Sequence, residues 1–479
     1  MSEYVCHGVS SPLDAVVHLP GSKSITNRAL VVAALADGHS ILSNALLAED
    51  TWLMVEALRA LGISMTVDEN ERLIEVTGCG GHIPESEAQL FCGNSGTTIR
   101  FCTALAALGQ GRFELDGIAR MRQRPIGGLV TALQSLGAAV EYLGQEGYPP
   151  LVVHARGLRS GEAFFDSPQS SQMVSALLLV APCARGDVLI EIGGHMPSAP
   201  YLRTTAAVME RFGVSVLSRL PDPSRDHREP RTSVRADSRM PDPSRDRQGA
   251  VASDAPADAA NAIRFIIEAP QRYRGATYSI EPDASNATYF LAAPAVAGGR
   301  VTVDALGTQS IQGDARFVDV LEAMGCRVVC EPSRLTVHAP ADGRLRGIDV
   351  DLNDMPDTVP TLAVLSVFAD GPTSIRNVAS LRVKETDRIA ALACELQKLG
   401  ATIQEAPDGL TIVPPGPRAS DPPATSPPLI DTYNDHRMAM SFALAGLRIA
   451  GLRINEPECV AKTFPEFLPT FERMLAPAD

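Results

Sequence analysis

The chain has 479 residues, 45% of them hydrophobic and 20% charged, which is typical of a soluble globular protein with two or more domains. Its 56 acidic and 42 basic residues give a formal net charge of −14, which argues against nucleic acid or an anionic membrane as a partner. No apolar run is long enough to cross a bilayer, so a membrane protein is not expected either.

The cysteines and the N-terminal stretch bear on location. The nine cysteines are scattered, and the nearest pair, Cys326 and Cys330, has no second pair to complete a zinc site. This pattern favours reduced thiols, a cytoplasmic protein and no bound metal. The first polar motif begins at Gly21, so we expect no signal or transit peptide in front of it.

Several predicted helices end in an apolar residue and a glycine, and a predicted strand follows each of them. A glycine at this place typically ends a helix in the left-handed conformation. The glycines are Gly62, Gly137, Gly213, Gly325 and Gly400, at intervals of 75, 76, 112 and 75 residues. The strands that follow them are predicted at 63–67, 138–142, 214–217, 326–330 and 401–404. A last helix, predicted at 467–475, ends 75 residues after Gly400.

The one long interval contains a segment, 218–261, of different composition. It holds two nearly identical stretches, SRLPDPSRD at 218–226 and SRMPDPSRD at 238–246, and almost no apolar residue before Val251. Such a segment cannot bury enough apolar surface to fold, so we predict a disordered insertion in a surface hairpin.

Each repeat also has an earlier, more apolar helix, which a short strand follows. These helices are predicted to begin near Ser24, Ser95, Ser170, Ala284, Asp357 and Asp435. The repeating unit is therefore helix, strand, helix, strand, with further strand in the long connections. Six copies of about 75 residues fit the length once the insertion is removed, which predicts duplicated modules in an α/β protein of two similar domains.

The unusual polar residues of the chain gather at the starts of these helices. The stretch 382–388, RVKETDR, is predicted on the first turn of a helix that Thr386 or Asp387 caps, and Pro125 is predicted at the first position of another helix. Seven cations lie at or beside predicted helix N-termini: Lys23, Arg28, Arg124, Lys384, Arg388, Arg437 and Lys462. Converging helix dipoles and these cations predict a site for a ligand with several negative charges.

Three groups able to transfer protons lie among these cations, namely Asp357, Glu385 and His436. The chain has no metal-ligand cluster and no dinucleotide fingerprint. The residues therefore indicate acid–base chemistry on small phosphorylated or carboxylated substrates, in a site from which two closing domains exclude water.

Nine motifs in this order carry a family resemblance: GSKSITNRAL, GNSGTTIR, RPI, SSQ, EPDASNATYFLAA, MPD, RVKETDR, NDHRMAM and AKTFPEF. They run from residue 21 to 467, and together they resemble the 5-enolpyruvylshikimate-3-phosphate synthase family. The pair RVKETDR and DHRMAM is highly specific, whereas GNSGT alone is not.

The resemblance implies an inverse α/β barrel of the enolpyruvyl transferase fold, with two domains of three βαβαββ repeats each. The domains would be 22–280, with the insertion at about 218–261, and 1–21 together with 281–479. The family transfers the enolpyruvyl group of phosphoenolpyruvate to the 5-hydroxyl of shikimate 3-phosphate and releases phosphate, the sixth step of chorismate and aromatic amino acid biosynthesis. It uses no cofactor, and its members are usually monomers.

The resemblance also implies roles for individual residues. Lys23, Asp357, Glu385 and His436 would be catalytic; Asp357 would take the proton of the attacking hydroxyl, and Glu385 would protonate the methylene carbon of phosphoenolpyruvate. The residues implied for shikimate 3-phosphate are Lys23, Ser24, Arg28, Ser170, Ser171, Gln172, Ser198, Asp357, Ser380 and Lys384. The residues implied for phosphoenolpyruvate are Lys23, Asn94, Gly96, Arg124, Gln172, Arg388, Arg437 and Lys462.

Two positions depart from the family pattern. Ser380 stands where the family often has Asn, and Phe101 stands where many members have Pro. Gly96 leaves room for the inhibitor glyphosate, although the sequence does not establish sensitivity to it.

Two alternative functions stay open at this point. One is a UDP-N-acetylglucosamine enolpyruvyl transferase, whose family uses a loop cysteine where this chain has Arg124-Pro125-Ile126. The other is a non-catalytic anion-binding homologue, which would gain nothing from carboxylates among its cations. An RNA-end cyclase on a related fold is disfavoured by the acidic charge.

Overall fold

A computed structural model of the chain describes residues 2–9, 11–219, 263–416 and 427–476. The insertion predicted at 218–261 lies outside these residues, apart from its first two positions. No helix in the parts described is long and apolar enough to cross a membrane.

Helices and strands alternate along the described chain. The α-helices are α1 (Lys23–Leu35), α2 (Glu49–Ala60), α3 (Gly96–Leu108), α4 (Gly127–Ser135), α5 (Ser171–Val180), α6 (Pro200–Arg211), α7 (Ala284–Leu291), α8 (Ala293–Ala297), α9 (Phe317–Ala323), α10 (Val359–Ser366), α11 (Arg388–Lys398), α12 (His436–Gly446) and α13 (Phe467–Leu475). Strands of the first half are β1 (Glu3–Val5), β2 (Leu13–Val17), β3 (His39–Ser43), β4 (Ser64–Asp68), β5 (Leu73–Thr77), β6 (Glu87–Phe91), β7 (Gln110–Asp116), β8 (Ala139–Tyr142), β9 (Leu151–Arg156), β10 (Gly161–Asp166), β11 (Val188–Gly193) and β12 (Leu217–Arg219). Strands of the second half are β13 (Ile263–Ile267), β14 (Thr277–Ser279), β15 (Gly299–Asp304), β16 (Arg327–Glu331), β17 (Arg334–His338), β18 (Asp349–Asp351), β19 (Thr373–Arg376), β20 (Thr402–Ala406), β21 (Gly409–Val413), β22 (Leu429–Ile430) and β23 (Arg453–Asn455).

The sheets of the described chain repeat one pattern. Their strand orders are β14-β3-β5-β4, β6-β7-β9-β8, β10-β11-β13-β12, β2-β15-β17-β16, β18-β19-β21-β20 and β22-β23-β1. In every four-stranded sheet the first two strands in this order are parallel, and the other neighbours are antiparallel. The second sheet follows the chain as β6, α3, β7, α4, β8, β9, which is the predicted βαβαββ unit.

Three strands join a sheet that lies far from them in the sequence. One is β1, at residues 3–5, which pairs with β23. β14 pairs with β3, so residues 277–279 complete the first sheet. β2 pairs with β15, so residues 13–17 complete the fourth sheet. The buried apolar residues form two clusters, one from Ile25 to Ile280 and one that combines 6–19 with 284–474. We therefore propose 22–280 and 1–21 with 281–479 as the two domains.

The five helix-ending glycines all adopt the predicted left-handed backbone. Their φ angles are 87°, 92°, 84°, 107° and 88° in chain order, and helices α2, α4, α6, α9 and α11 end two residues before them. The last predicted helix, 467–475, coincides with α13. The prediction of the strand after Gly213 was wrong, because this strand, β12, begins only at Leu217.

Two predictions about helix starts were also wrong. Pro125 is not the first residue of a helix, because α4 begins at Gly127 after the cap position Ile126. Of the charges of 382–388, only Arg388 lies on the first turn of α11, and Arg382 lies on the 3₁₀ turn Ala379–Val383. The predicted cap is confirmed: Asp387 is the N-cap, and its carboxylate accepts a hydrogen bond from the Ala390 amide at 3.1 Å. Residues 384–387 therefore form an irregular connection into the helix.

Candidate active site

A pocket lies between the two core clusters, where the N-termini of several buried helices converge. Both clusters contribute side chains to it, most of them polar or charged. Its lining residues are Lys23, Ser24, Arg28, Arg100, Arg124, Pro125, Gln169, Ser170, Ser171, Gln172, Ser198, Tyr201, Asp357, Ser380, Val383 and Lys384. The helix dipoles and five cationic side chains suit this pocket to an anionic ligand.

Three cationic side chains surround the Asp357 carboxylate. Its oxygens are 3.0 Å from Arg437 Nη2, 3.1 Å from Arg388 Nη1 and 3.3 Å from Lys384 Nζ. Burial alone would raise the pKa of Asp357, but these three cations and Lys23 hold that pKa well below its usual range. The carboxylate is therefore ionised in the site without a ligand.

Glu385 provides a second buried carboxylate beside the first. Its Oε2 accepts a hydrogen bond from Arg388 Nη2 at 2.9 Å. Burial opposes ionisation, but the cations Arg388, Arg124 and Lys462 together hold the pKa of Glu385 well below its usual value. A multiply anionic ligand bound to these cations would offset their field and raise this pKa. The pKa of Glu385 thus depends on whether an anion occupies the site.

Arg388 connects the carboxylates of the site. Its side chain is 1% exposed and contacts Asp357 and Glu385 through Nη1 and Nη2. It also makes a two-pronged contact with Asp435, with Nε at 2.8 Å and Nη2 at 3.2 Å. Asp435 in turn caps α12, where it accepts a hydrogen bond from the Arg437 amide at 2.9 Å. Arg388 therefore fixes three carboxylates relative to each other.

Replacement of Arg388 by Met is expected to lower the free energy of unfolding by about 3–5 kcal/mol, because three buried carboxylates lose a shared cation. Urea unfolding followed by circular dichroism measures this loss. The matched control is Arg316→Met, which removes an exposed arginine paired with Asp319 at 3.2 Å and should cost at most about 1 kcal/mol. Equal losses in the two variants would contradict the network.

A second ionic cluster joins the two domains at the other end of the site. The carboxylate of Asp50, which is 2% exposed, lies 3.1 Å from Lys23 Nζ and 3.2 Å from Lys462 Nζ. Lys462 Nζ also donates to the Asn94 carbonyl at 3.0 Å, and Arg124 Nη1 donates to the same oxygen at 2.8 Å. This cluster brings together four residues predicted for phosphoenolpyruvate, namely Lys23, Asn94, Arg124 and Lys462, whereas Arg388 and Arg437 contact Asp357.

Gly96 leaves space that the cations of this cluster occupy. A Cβ built at Gly96 would lie 2.4 Å from Arg124 Nη2 and 2.7 Å from Arg100 Nη1. Both guanidinium groups are buried and hydrogen-bonded to backbone carbonyls, so neither can move without loss. An alanine at this position must therefore displace at least one cation.

We expect Gly96→Ala to raise the KM for phosphoenolpyruvate about tenfold, equivalent to about 1.4 kcal/mol of binding, through displacement of Arg124. Steady-state kinetics at varied phosphoenolpyruvate concentration measure it. Gly128→Ala is the control, since its Cβ would meet only the flexible Met173 side chain, with Sδ at 3.3 Å. A KM that is unchanged in Gly96→Ala would show that Arg124 does not bind this substrate.

The start of α5 carries the residues predicted for the other substrate. The Ser170 hydroxyl caps the helix and accepts a hydrogen bond from the Gln172 amide at 3.3 Å, and Ser171 begins the helix. The Gln172 side chain accepts from Arg100 at 2.8 Å and donates to Thr97 at 3.2 Å. These contacts fix Gln172 between the two ionic clusters.

Arg28 is anchored as well as facing the pocket. Its Nε donates to Thr205 Oγ1 at 2.7 Å, and its Nη2 donates to Ser175 Oγ at 3.2 Å. The guanidinium group also lies 5.5 Å from the ring centre of Phe101 and 5.6 Å from that of Tyr201. Phe101, which departs from the family pattern, therefore supports a site cation.

Three predicted residues have less obvious contacts. Ser198 has a left-handed φ of 57°, and its amide donates to the Asn353 carbonyl at 2.9 Å, across the two domains. The Ser380 hydroxyl is buried without a hydrogen-bond partner among the described residues. The same holds for both ring nitrogens of His436, whose pKa burial and nearby cations lower well below its usual value. His436 is therefore neutral and makes no hydrogen bond to the carboxylates.

Sequence reasoning missed four site residues: Asp50, Arg100, Tyr201 and Asp435. Arg100 lies in the motif GNSGTTIR and Asp435 in the motif NDHRMAM, so these motifs could have identified both residues. Asp50 reads as an ordinary acidic residue in the first turn of α2. The Tyr201 hydroxyl donates to Asp314 across the domains at 3.2 Å, and burial raises the pKa of Asp314 to about 6. A contact between residues so far apart in the sequence produces no local sequence pattern.

Known proteins resemble the chain over nearly its whole length. The sequence matches the family EPSP synthase (3-phosphoshikimate 1-carboxyvinyltransferase) over residues 8–223 and 254–471. It is 43% identical over 467 residues to a 3-phosphoshikimate 1-carboxyvinyltransferase of Nostoc punctiforme, with 98% of each chain covered. It is 44% identical over 467 residues to the protein of that name from Laribacter hongkongensis, with 97% of each covered.

Solved structures confirm the predicted enolpyruvyl transferase fold. EPSP synthase from Acinetobacter baumannii superposes with a TM-score of 0.73 at 23% identity, over 99% of this chain and 98% of that one. The enolpyruvyl transferase NikO from Streptomyces tendae gives a TM-score of 0.67 at 17% identity, over 98% and 96%. Given the sequence match and the relatives above 40% identity, the chain belongs to the EPSP synthase (3-phosphoshikimate 1-carboxyvinyltransferase) family.

Proposed function

We propose that this chain transfers the enolpyruvyl group of phosphoenolpyruvate to the 5-hydroxyl of shikimate 3-phosphate and releases phosphate. Family membership supports the reaction, and the observation that carries the residue roles is the pair of buried carboxylates, Asp357 and Glu385, which share one guanidinium group in a cleft lined with cations. We further propose that the protein acts as a monomer in the cytoplasm, in keeping with its nine unpaired cysteines.

In this proposal the acceptor binds at the starts of α1 and α5, against Lys23, Ser24, Arg28 and the Ser170–Gln172 stretch. Ser198, Ser380 and Lys384 would complete this side. Phosphoenolpyruvate binds between the domains, beside Asn94 and the Gly96 backbone. Its phosphate and carboxylate would contact Lys23, Arg124, Gln172, Arg388, Arg437 and Lys462.

The chemistry begins with proton transfer to Asp357 from the 5-hydroxyl, whose oxygen attacks C2 of phosphoenolpyruvate. Glu385 donates a proton to the methylene carbon, which becomes a methyl group in a tetrahedral adduct. Return of one methyl proton to Glu385 restores the double bond, and phosphate leaves from C2 with the other proton. The cations offset the charge of both reactants, and positioning contributes about 7–11 kcal/mol at best.

The two alternatives differ from this proposal in what the site must do. A binding module needs cations but no proton-transfer carboxylates, and two buried carboxylates would weaken anion binding. A UDP-N-acetylglucosamine enolpyruvyl transferase would use the same donor with a nucleotide-sugar acceptor. The acceptor therefore decides between the two enzymes, and turnover decides between an enzyme and a binding protein.

Phosphate release by the purified protein tests the proposal. We expect release that requires both phosphoenolpyruvate and shikimate 3-phosphate. Release with UDP-N-acetylglucosamine in place of shikimate 3-phosphate would assign the chain to the first alternative. If the protein is folded and calorimetry detects binding of shikimate 3-phosphate, but neither acceptor gives phosphate release, the chain is the anion-binding homologue.

A further inference from the structure

Arg120 reaches from one domain to the backbone of the other, at the stretch that carries two site residues. It lies immediately before the 3₁₀ turn Met121–Gln123 in the first domain. Its Nη2 donates to the Lys384 carbonyl at 2.8 Å, and its Nε donates to the Lys384 and Glu385 carbonyls, both at 3.1 Å. A longer contact, 3.4 Å, joins Nη2 to the Arg382 carbonyl.

The stretch that Arg120 contacts is irregular, so it needs support from outside. It extends from the end of the 3₁₀ turn Ala379–Val383 to the residues before α11, and the Lys384 and Glu385 carbonyls accept no backbone hydrogen bond in the described parts of the chain. Arg382 ties its beginning to its own domain, with donation to the Ala406 carbonyl at 2.6 Å and the Pro407 carbonyl at 2.8 Å. Arg120 supplies the support from the opposite domain.

The same 3₁₀ turn connects Arg120 to a site cation. Arg124 follows the turn directly, is 3% exposed, and is among the cations that lower the pKa of Glu385. One short turn thus places Arg120 against the Glu385 carbonyl, and it places Arg124 near enough to the Glu385 carboxylate to lower its pKa.

We propose that Arg120 is a positioning residue that holds residues 382–385 from the opposite domain, and thereby fixes the positions of Lys384 and Glu385. In residues 382–385 it contacts backbone carbonyls only, and its Nη1 donates to Gln123 Oε1 of its own turn at 3.3 Å. It therefore acts through those two side chains and not on the substrate. The catalytic half of this inference rests on the proposed transferase function, whereas the structural half does not.

The chain offers close controls for a test at Arg120. Arg122 lies on the same turn but pairs with Asp116 of its own domain, at 2.6 Å and 3.0 Å. Arg72 also crosses between the domains, but its partner is the exposed Glu466 side chain at 3.2 Å. Arg122→Met thus removes an equivalent cation, and Arg72→Met removes a cross-domain contact away from 382–385.

The first measurement is hydrogen–deuterium exchange of the peptide covering 382–388, in the protein without ligand. We expect exchange to rise about tenfold or more in Arg120→Met and to stay at the wild-type rate in Arg122→Met and Arg72→Met. Arg120→Lys should lie between, since an ammonium group cannot span the carbonyls as a guanidinium group does. Wild-type exchange in Arg120→Met, or an equal rise in Arg122→Met, would overturn the proposal.

The second measurement is turnover with both substrates. We expect kcat of Arg120→Met to fall about 100-fold, because small misplacements of reacting groups cost about that much, with wild-type rates in both controls. Faster exchange without a lower kcat would overturn the positioning role. If the wild-type protein itself releases no phosphate, the proposed function fails, while the exchange result still decides whether Arg120 holds this stretch.

Discussion

Replacement of Glu385 by Gln should lower kcat by about 10²- to 10⁴-fold, the usual contribution of a general acid. The amide keeps the size of the side chain and can still accept the hydrogen bond from Arg388 Nη2, but it has no proton to give to the methylene carbon. Binding of shikimate 3-phosphate should survive. Stopped-time phosphate release and calorimetry measure the two properties.

A carboxylate outside the cleft provides the control for this variant. Glu191 lies on β11 and pairs with Arg264 of the neighbouring strand at 2.9 Å. Glu191→Gln makes the same chemical change and should leave kcat at the wild-type value. A Glu385→Gln protein with more than about a tenth of wild-type turnover would remove Glu385 from the proton-donor role.

Replacement of Asp357 by Asn should lower kcat by a similar factor, about 10²- to 10⁴-fold, because the amide cannot take the hydroxyl proton. The change has a second consequence. Lys384, Arg388 and Arg437 lose the charge that compensates them, so an anion should bind more tightly in their midst. Inorganic phosphate should therefore raise the melting temperature of Asp357→Asn more than that of the wild-type protein.

Asp349→Asn is the matched control, since Asp349 lies on the edge strand β18 and pairs with the exposed Arg376 of the neighbouring strand β19 at 2.7 Å. It should change neither kcat nor the response to phosphate. Lost turnover with stronger phosphate stabilisation in Asp357→Asn would separate proton transfer from anion binding. A fully active Asp357→Asn protein would contradict the assignment of the base.

Local patterns predicted the repeat well because the same physical requirement recurs in every copy. A helix that must turn directly into a strand needs a residue with positive φ, and glycine meets that need at Gly62, Gly137, Gly213, Gly325 and Gly400. The spacing of these glycines, which is 75 or 76 residues outside the interval with the insertion, predicts six units.

Predictions failed where two local signals competed. At 382–388 the run of charges resembled a helical first turn. Asp387 caps the helix as predicted, but the helix begins only at Arg388, so Lys384 and Glu385 lie before it. Arg382 instead donates hydrogen bonds to the Ala406 and Pro407 carbonyls, where β20 ends before β21. Pro125 likewise suits a first helical position but lies two residues before α4. Only the folded structure shows which partner each group finds.

The sequence patterns did not predict contacts between segments that are distant in the chain. Asp50 lies among ordinary acidic residues, and its partners Lys23 and Lys462 come from opposite ends of the chain. Arg120 has no distinctive neighbours in the sequence, yet it spans the two domains. Such residues act through tertiary geometry, which motif spacing does not record.

The most direct test of the proposed chemistry is the reaction in D₂O. Because Glu385 would deliver a solvent-derived proton to the methylene carbon, the adduct passes through a methyl group, from which any one hydrogen is then removed. Mass spectrometry should therefore find deuterium on the vinyl carbon of the product and of recovered phosphoenolpyruvate. A product formed in D₂O without deuterium on that carbon would contradict the addition–elimination mechanism.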